Sequence, residues 1–298
     1  MRSLFAVSPL WSARAGAQRA KARLFYNVKL VAKRQTLMQS EVRGTQSIAR
    51  AMALVRAVST RPLLGWRLTD LAAHCDLDKG TAHRMLAGLA AERLVQQRGA
   101  DRHYVPGPAL FELGLAQPHW SAFQSACAAS LARLARRTGA VFFLYLLSGD
   151  EFVCAVRAGT TVLKGLSIEV GTRRPLAVSA IGAAMLIALP KEARASAMRA
   201  NLKQTASFGA ARLNGVKKML ARSERHGYGI NLADVTPGIN AFGVPLFDAR
   251  GRVFAAIGLA AEAQAFPFSR AGEVEEMLLG EARRIEREQA AIIRGLTE

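Results

Sequence analysis

Residues 77–86 read Leu77-Asp78-Lys79-Gly80-Thr81-Ala82-His83-Arg84-Met85-Leu86, and the N-terminal third of the chain is understood by working outward from them. Asp78 supplies a side-chain oxygen of the kind that caps free backbone N–H groups. Beyond it Ala82, Met85, Leu86, Leu89 and Ala90 recur at three- and four-residue spacings, which predicts a helix over about Lys79 to Glu92. With those residues inward, Lys79, Thr81, His83 and Arg84 face outward on its first turns. Upstream, Asp76-Leu77-Asp78 reads as a tight turn with Leu77 as its apolar pin. A short helix over about Thr69 to His74 buries Leu68, Leu71 and Ala72. A first helix, expected from Ser47 as its cap, presents Ile48, Ala51, Met52, Val55 and Val58 on one face and ends near Arg61-Pro62. Downstream, Leu94-Val95, the turn Gly99-Ala100-Asp101 and His103-Tyr104-Val105 predict a two-stranded wing carrying Arg98 and Arg102, closed by Pro106-Gly107-Pro108. This order is that of a winged helix-turn-helix, whose third helix enters a DNA major groove by its N-terminal end.

Composition agrees with a globular chain. The 298 residues are 51% hydrophobic, with 41 Lys plus Arg against 22 Asp plus Glu, a net charge of +19 that makes a polyanionic partner the first to test. Residues 1–37 supply +8 of that +19 and contain no acidic residue. They are read as a basic extension, residues 1–41 in all. The leading expectation is a native start at Met38; a phosphate-tracking arm and a targeting peptide are the alternatives. No apolar run reaches the roughly 20 residues of a membrane-spanning helix. Cys75, Cys127 and Cys154 are unpaired in spacing, which fits a reducing cytoplasm, and the five histidines form no ligand cluster. No metal and no cofactor is expected.

The stretches Ser47-Ile48-Ala49-Arg50-Ala51, Leu77 to Leu86 and Tyr104-Val105-Pro106-Gly107-Pro108 resemble the isocitrate lyase regulator (IclR) family of bacterial transcription regulators. The resemblance runs over about residues 42–295, and Thr81-Ala82-His83-Arg84 is its most telling local match. It implies DNA contacts by Lys79, Gly80, Thr81, His83, Arg84, Arg98 and Arg102. Where the family usually has Gly in the turn, Pro before the Lys and Ser before the Thr, this chain has Asp76, Asp78 and Gly80. Asp76 tolerates a left-handed conformation and Asp78 caps the helix, yet both bring negative charge towards phosphates. Weaker or differently specified DNA binding is therefore expected, with Lys79, Arg84, Arg98 and Arg102 offsetting the repulsion.

The rest of the chain reads as α+β. A linker helix near Ala109 to Leu115 (109–118 as a linker) and an amphipathic helix over Trp120 to Arg137 lead to Val141–Leu147 and Glu151–Arg157, strands joined by Ser148-Gly149-Asp150. Gly238–Phe247 and Arg252–Ala260 make a second hairpin. Helices are predicted over Ile181–Ala188, Lys191–Ala200 and Gly215–His226, and a final one over Ser269 to Leu296 packs through Val274, Met277, Leu278, Ile285 and Ile292. The domains are thus 42–108, a winged helix-turn-helix, and 119–298, which the resemblance implies is a GAF-like effector-binding domain with an antiparallel sheet. No nucleophile elbow, phosphate-cradling loop or spaced carboxylate pair is present, so no enzymatic activity is expected.

Pro175 to Gly182 runs from extended chain into a helix with Ser179 as cap, leaving the N–H groups of Ala180 and Ile181 free to hold an anion at the positive end of the helix dipole. A plain structural cap is the competing reading. The resemblance carries Asn231, Ala241, Gly258 and Ala260 over as further effector contacts. Family members that sense small polar acids tend to hold Asp, Cys and Ser there, so a roomier, drier pocket is expected, taking an aromatic or medium-sized hydrophobic acid. The partners implied are a palindromic double-stranded DNA operator, a small organic acid and further copies of the chain, as a homodimer or homotetramer. Repression is expected over activation. The rival reading is a nonspecific nucleic-acid binder using the basic tail and wing.

Overall fold

The computed structural model describes residues 45–206 and 209–297, which divide into two compact units at Glu112/Leu113. The basic tail and the expected start at Met38 lie outside the described residues.

In the first unit, α1 (Gln46–Ser59), α2 (Leu68–His74) and α3 (Lys79–Ala91) precede a hairpin of β1 (Val95–Gln97) and β2 (Tyr104–Pro106). Val95 lies opposite Pro106 and Gln97 opposite Tyr104. The fully buried Leu54, Leu71 and Leu86 bring one side chain from each helix into a common core. Each such burial contributes about 1.5–3 kcal/mol. Two expectations for α1 need correction. Ser47 lies inside the first turn, and Thr45 occupies the capping position, its side chain accepting no capping bond from the helix. The buried face is Ala53, Leu54, Val55, Ala57 and Val58, while Ile48 and Met52 are 65% and 40% exposed. Among the described residues of this unit it is the C-terminal half of α1 that joins the core with α3 and the wing, and the apolar stripe of its first turns finds little there to pack on.

Trp66 bridges to the wing, exchanging backbone hydrogen bonds with Tyr104, and its ring packs at a 30° tilt against His74, centroids 4.9 Å apart. The Arg61 guanidinium lies 3.9 Å over the same ring. Burial, and secondarily the Arg61 charge, pulls the His74 imidazole down to about 4. An imidazole depressed in the folded state is protonated more readily in the unfolded chain. Stability is therefore full above the ordinary value of 6.5 and falls as the pH drops from 6.5 towards 4. The loss is at most about 3 kcal/mol. Thermal melts of the full chain across this range are expected to show the slope, and His74→Gln to flatten it; identical slopes would assign the acid sensitivity to other groups.

The second unit is one six-stranded antiparallel sheet. In chain order its strands are β3 (Val141–Ser148), β4 (Glu151–Ala158), β5 (Arg173–Pro175), β6 (Gly229–Leu232), β7 (Ile239–Phe247) and β8 (Val253–Glu262), and across the sheet the order is β5-β4-β3-β8-β7-β6. The helix α4 (Ala109–Leu115) spans the division between the units and buries none of its residues. Then α5 (Pro118–Thr138), α9 (Ala271–Glu288) and α10 (Ala290–Thr297) cover one face of the sheet. The other carries α6 (Ala180–Ala188), α7 (Lys191–Ala206) and α8 (Ala210–His226). Gly139 and Gly227, at φ of 72° and 79°, end α5 and α8 in the left-handed conformation that only glycine adopts without strain. The helix expected as one piece over Ser269 to Leu296 is two, broken at Gln289.

The edge strands β5 and β6 had no clear signature in sequence, being only three and four residues long. Yet β6 creates the feature that seats α6. Gly229, Gly243 and Gly258 are register partners on β6, β7 and β8 and form a glycine row across the sheet. The first turn of α6 lies directly on the row: a Cβ at Gly243 would stand 2.5 Å from the Ile181 Cα, and one at Gly229 would collide with the Ala180 carbonyl. This bare strip lets an entirely apolar helix descend onto the sheet backbone.

Candidate DNA-reading face and effector pocket

Asp78 caps α3 as its chemistry suggested: its Oδ1 accepts the Thr81 N–H at 2.8 Å, and the Thr81 hydroxyl, followed by this N–H, lowers its pKa. Asp76 sits at φ 54°, the left-handed turn position its residue type tolerates. Ala82, Leu86 and Leu89 point inward and Lys79, Gly80, His83 and Arg84 are exposed, with Thr81 half-buried and its hydroxyl accepting from Arg84 Nη2 at 3.3 Å. Arg102 is exposed at the wing tip, at φ 56°. These six residues lie on the surface that the sequence reading expected.

Arg98 differs. Its Nε and Nη2 bind the Asp101 carboxylate at 3.0 and 2.6 Å, while Nη1 and Nη2 donate to the Leu63 and Leu64 carbonyls at 2.8 and 3.1 Å. The guanidinium is committed to tying the wing to the loop before α2. Four of its five N–H donors thus shape the wing, which leaves one donor on a partly exposed side chain for a phosphate.

In the second unit a cavity with about 540 Å3 of empty space, including solvent at its mouth, opens at the N-terminus of α6. Ser179, Ala180, Ile181, Asn231, Ala241 and Ala260 all line it, together with Phe143, Tyr145, Phe152, Ile168, Arg174, Arg212 and Thr236. Ser179 is extended (φ −143°) and its hydroxyl accepts from Gly182 N–H at 3.5 Å. Among the described residues the N–H groups of Ala180 and Ile181 have no acceptor. Tyr145 stacks face to face on Phe152 at 3.9 Å and interacts with the Ser179 side chain. Full burial raises its phenol far above the ordinary range, so it stays a neutral donor.

Three expectations for this pocket change. Gly258 is not part of the lining: the space where its side chain would be is taken by Ile181, whose Cγ1 would lie 2.5 Å from an added Cβ. Its smallness serves helix seating, not ligand volume. Asn231 lines the cavity but its amide is already used, with Nδ2 donating to the Ile239 carbonyl at 3.0 Å and Oδ1 accepting the Val235 N–H at 3.2 Å. It holds the β6–β7 loop in shape. Nor is the pocket dry, because Arg174 from β5 and Arg212 from α8 enter it.

Those two arginines are what sequence reasoning missed. A signal existed for one: in a strand, adjacent residues face opposite ways, so of Arg173-Arg174 only one can face outward. Arg173 pairs with Glu151 at 2.7 Å, and Arg174 faces the cavity.

Two family descriptions match the chain, the IclR helix-turn-helix domain over residues 47–99 and the bacterial transcriptional regulator IclR C-terminal domain over 122–287. The protein belongs to the IclR family. It is a transcriptional regulator with a helix-turn-helix DNA-binding domain and a C-terminal ligand-binding domain. Among its relatives, the HTH-type transcriptional regulator BhcR of Paracoccus denitrificans is 24% identical over 81% of this chain and 86% of its own length. The HTH-type transcriptional repressor AllR of Salmonella typhi is 24% identical over 74% and 81%. An IclR family regulator from Brucella abortus has the same fold, with a TM-score of 0.67 at 17% identity over 85% of this chain and 98% of that one. An IclR homologue from Microbacterium hydrocarbonoxydans, solved in complex with 4-hydroxybenzoate, superposes with a TM-score of 0.62 at 19% identity, covering 84% of this chain and 99% of the homologue.

Proposed function

We propose that this IclR-family protein is a cytoplasmic repressor that grips a palindromic operator through the first turns of α3 and loosens that grip when an organic acid enters the cavity at α6. The observation that carries the effector reading is a single place: free N–H groups at a helix N-terminus, two guanidinium groups and a neutral tyrosine all converge on one aromatic-walled cavity. Helix N-termini and arginines both favour anions, and aromatic walls favour a flat body. That the Microbacterium homologue holds 4-hydroxybenzoate supports an aromatic acid here, and the AllR relative's being a repressor supports repression.

On the DNA side Lys79, Gly80, Thr81, His83 and Arg84 read or position the duplex from α3, and Arg102 meets a phosphate from the wing. Within the first unit the exposed Ile48 and Met52 on α1 offer apolar surface to a second copy of the chain, and Leu113 and Leu115 on α4 offer apolar surface of their own. An acid changes DNA affinity only by the difference in its affinity for the gripping and released states. A gel shift on the DNA upstream of the gene and its neighbours tests this: one or more retarded complexes that an aromatic acid dissolves support it, and complexes indifferent to every acid speak against the effector half.

A further inference from the structure

The two arginines of the pocket carry more than a preference for acids. Arg174 Nη2 donates to the Ser167 carbonyl at 2.7 Å and Arg212 Nη1 to the Val235 carbonyl at 3.1 Å, which leaves most of the five N–H donors of each guanidinium without an acceptor among the described residues. The carboxylates around them are engaged elsewhere: Glu151 with Arg173 at 2.7 Å, Asp234 with Arg222 at 2.5 Å, Glu169 with Arg157 at 3.7 Å. Among the described residues neither Arg174 nor Arg212 has an ion-pair partner. Burial pulls both guanidinium groups down from their ordinary value, and Arg174 pulls Arg212 down further by like-charge repulsion. Arginine still keeps its proton at any physiological pH.

The cavity therefore holds two uncompensated positive charges against walls that are otherwise aromatic and aliphatic. A neutral ligand would leave both charges unmet, and a monoanion would leave one. Resting on the effector-pocket reading above, we propose that the effector is a dianion, a dicarboxylate on an aromatic or short aliphatic body, with Arg174 and Arg212 meeting its two charges. Planar guanidinium forks suit carboxylates, and two forks from separate elements suit two carboxylates on one body better than one phosphate.

Isothermal titration of the full chain with the three benzenedicarboxylates and adipate, against benzoate, hexanoate and phenyl phosphate, tests this. The best dicarboxylate is expected to bind at least about tenfold more tightly than the monocarboxylate of the same body. Arg174→Gln and Arg212→Gln should each bring that ratio to within about twofold, mostly by weakening the dicarboxylate. Without ligand, both variants should melt at or near the wild-type temperature, because each removes one of two neighbouring like charges that are half-buried. Monocarboxylates binding as tightly as every dicarboxylate would overturn the dianion and leave the acid pocket standing. Tighter binding of phenyl phosphate would overturn the dicarboxylate. Binding of no acid at all would remove the pocket reading and the dianion together. Ligand-free variants melting more than about 5 °C below wild type would make the arginines structural and also overturn it.

Discussion

Replacing Gly243 with alanine is expected to destabilise the C-terminal unit by about 3 kcal/mol or more. The added Cβ would stand 2.5 Å from the Ile181 Cα and 3.0 Å from its backbone nitrogen, so the obstacle is backbone rather than the end of a flexible side chain. To relieve it, α6 must lift from the sheet. That exposes apolar side chains along a helix whose residues Ala180 to Leu186 are all buried, and it moves the N–H groups of Ala180 and Ile181 away from the cavity. For a unit of this size the loss corresponds to a drop in Tm of about 6–12 °C. Gly280→Ala, in α9 with open space around its Cα, is the control and should be neutral or slightly stabilising. A Gly243→Ala protein melting within about 2 °C of wild type would mean that the glycine row does not seat the helix.

The second large effect is on DNA. Arg84→Ala and Lys79→Ala should each weaken operator binding by about 1–3 kcal/mol per recognition helix, doubled if a dimer occupies two half-sites. Both side chains are exposed and neither forms an ion pair among the described residues, so removing them should leave the melting temperature unchanged. The two should separate by salt dependence. A phosphate contact lowers the salt slope by about one per charge removed, whereas a base contact relaxes preference at one operator position. Arg98→Ala should behave unlike either, loosening the wing from the Leu63–Leu64 loop and lowering the melting temperature as well as binding. If Arg84→Ala binds the operator as wild type does, α3 is not the reading helix.

Periodicity and capping chemistry made most of the fold readable. The run Ala82, Met85, Leu86, Leu89 fixed α3 and Asp78 fixed its start, because both signals are local. Hairpins with Gly-Asp or Asp-Ala-Arg-Gly turns between long apolar strands were equally plain. What could not be read was set by distant partners. The apolar stripe of α1 predicted burial for Ile48 and Met52, but burial depends on whether another element arrives, and none does within the described first unit. Gly258 looked like ligand space because a missing side chain has the same sequence signature whether a ligand or Ile181 fills the gap. Arg98 and Arg212 look alike in sequence, and the Arg173-Arg174 pair says only that one of the two turns inward. Only the fold shows that Arg98 has carboxylate and carbonyl partners, while Arg174 and Arg212 are left facing a cavity.

On the proposed function, one chain couples an acid-binding cavity to a DNA-reading helix. Footprinting on the DNA upstream of the gene, with and without the tightest-binding acid, tests it most directly. Protection of a palindrome that random DNA competes poorly, lost on adding the acid in wild type but retained in Arg174→Gln at the same concentration, is the predicted result. No protected site, or protection that random DNA competes equally well, would contradict the account and point to nonspecific binding by basic surface alone.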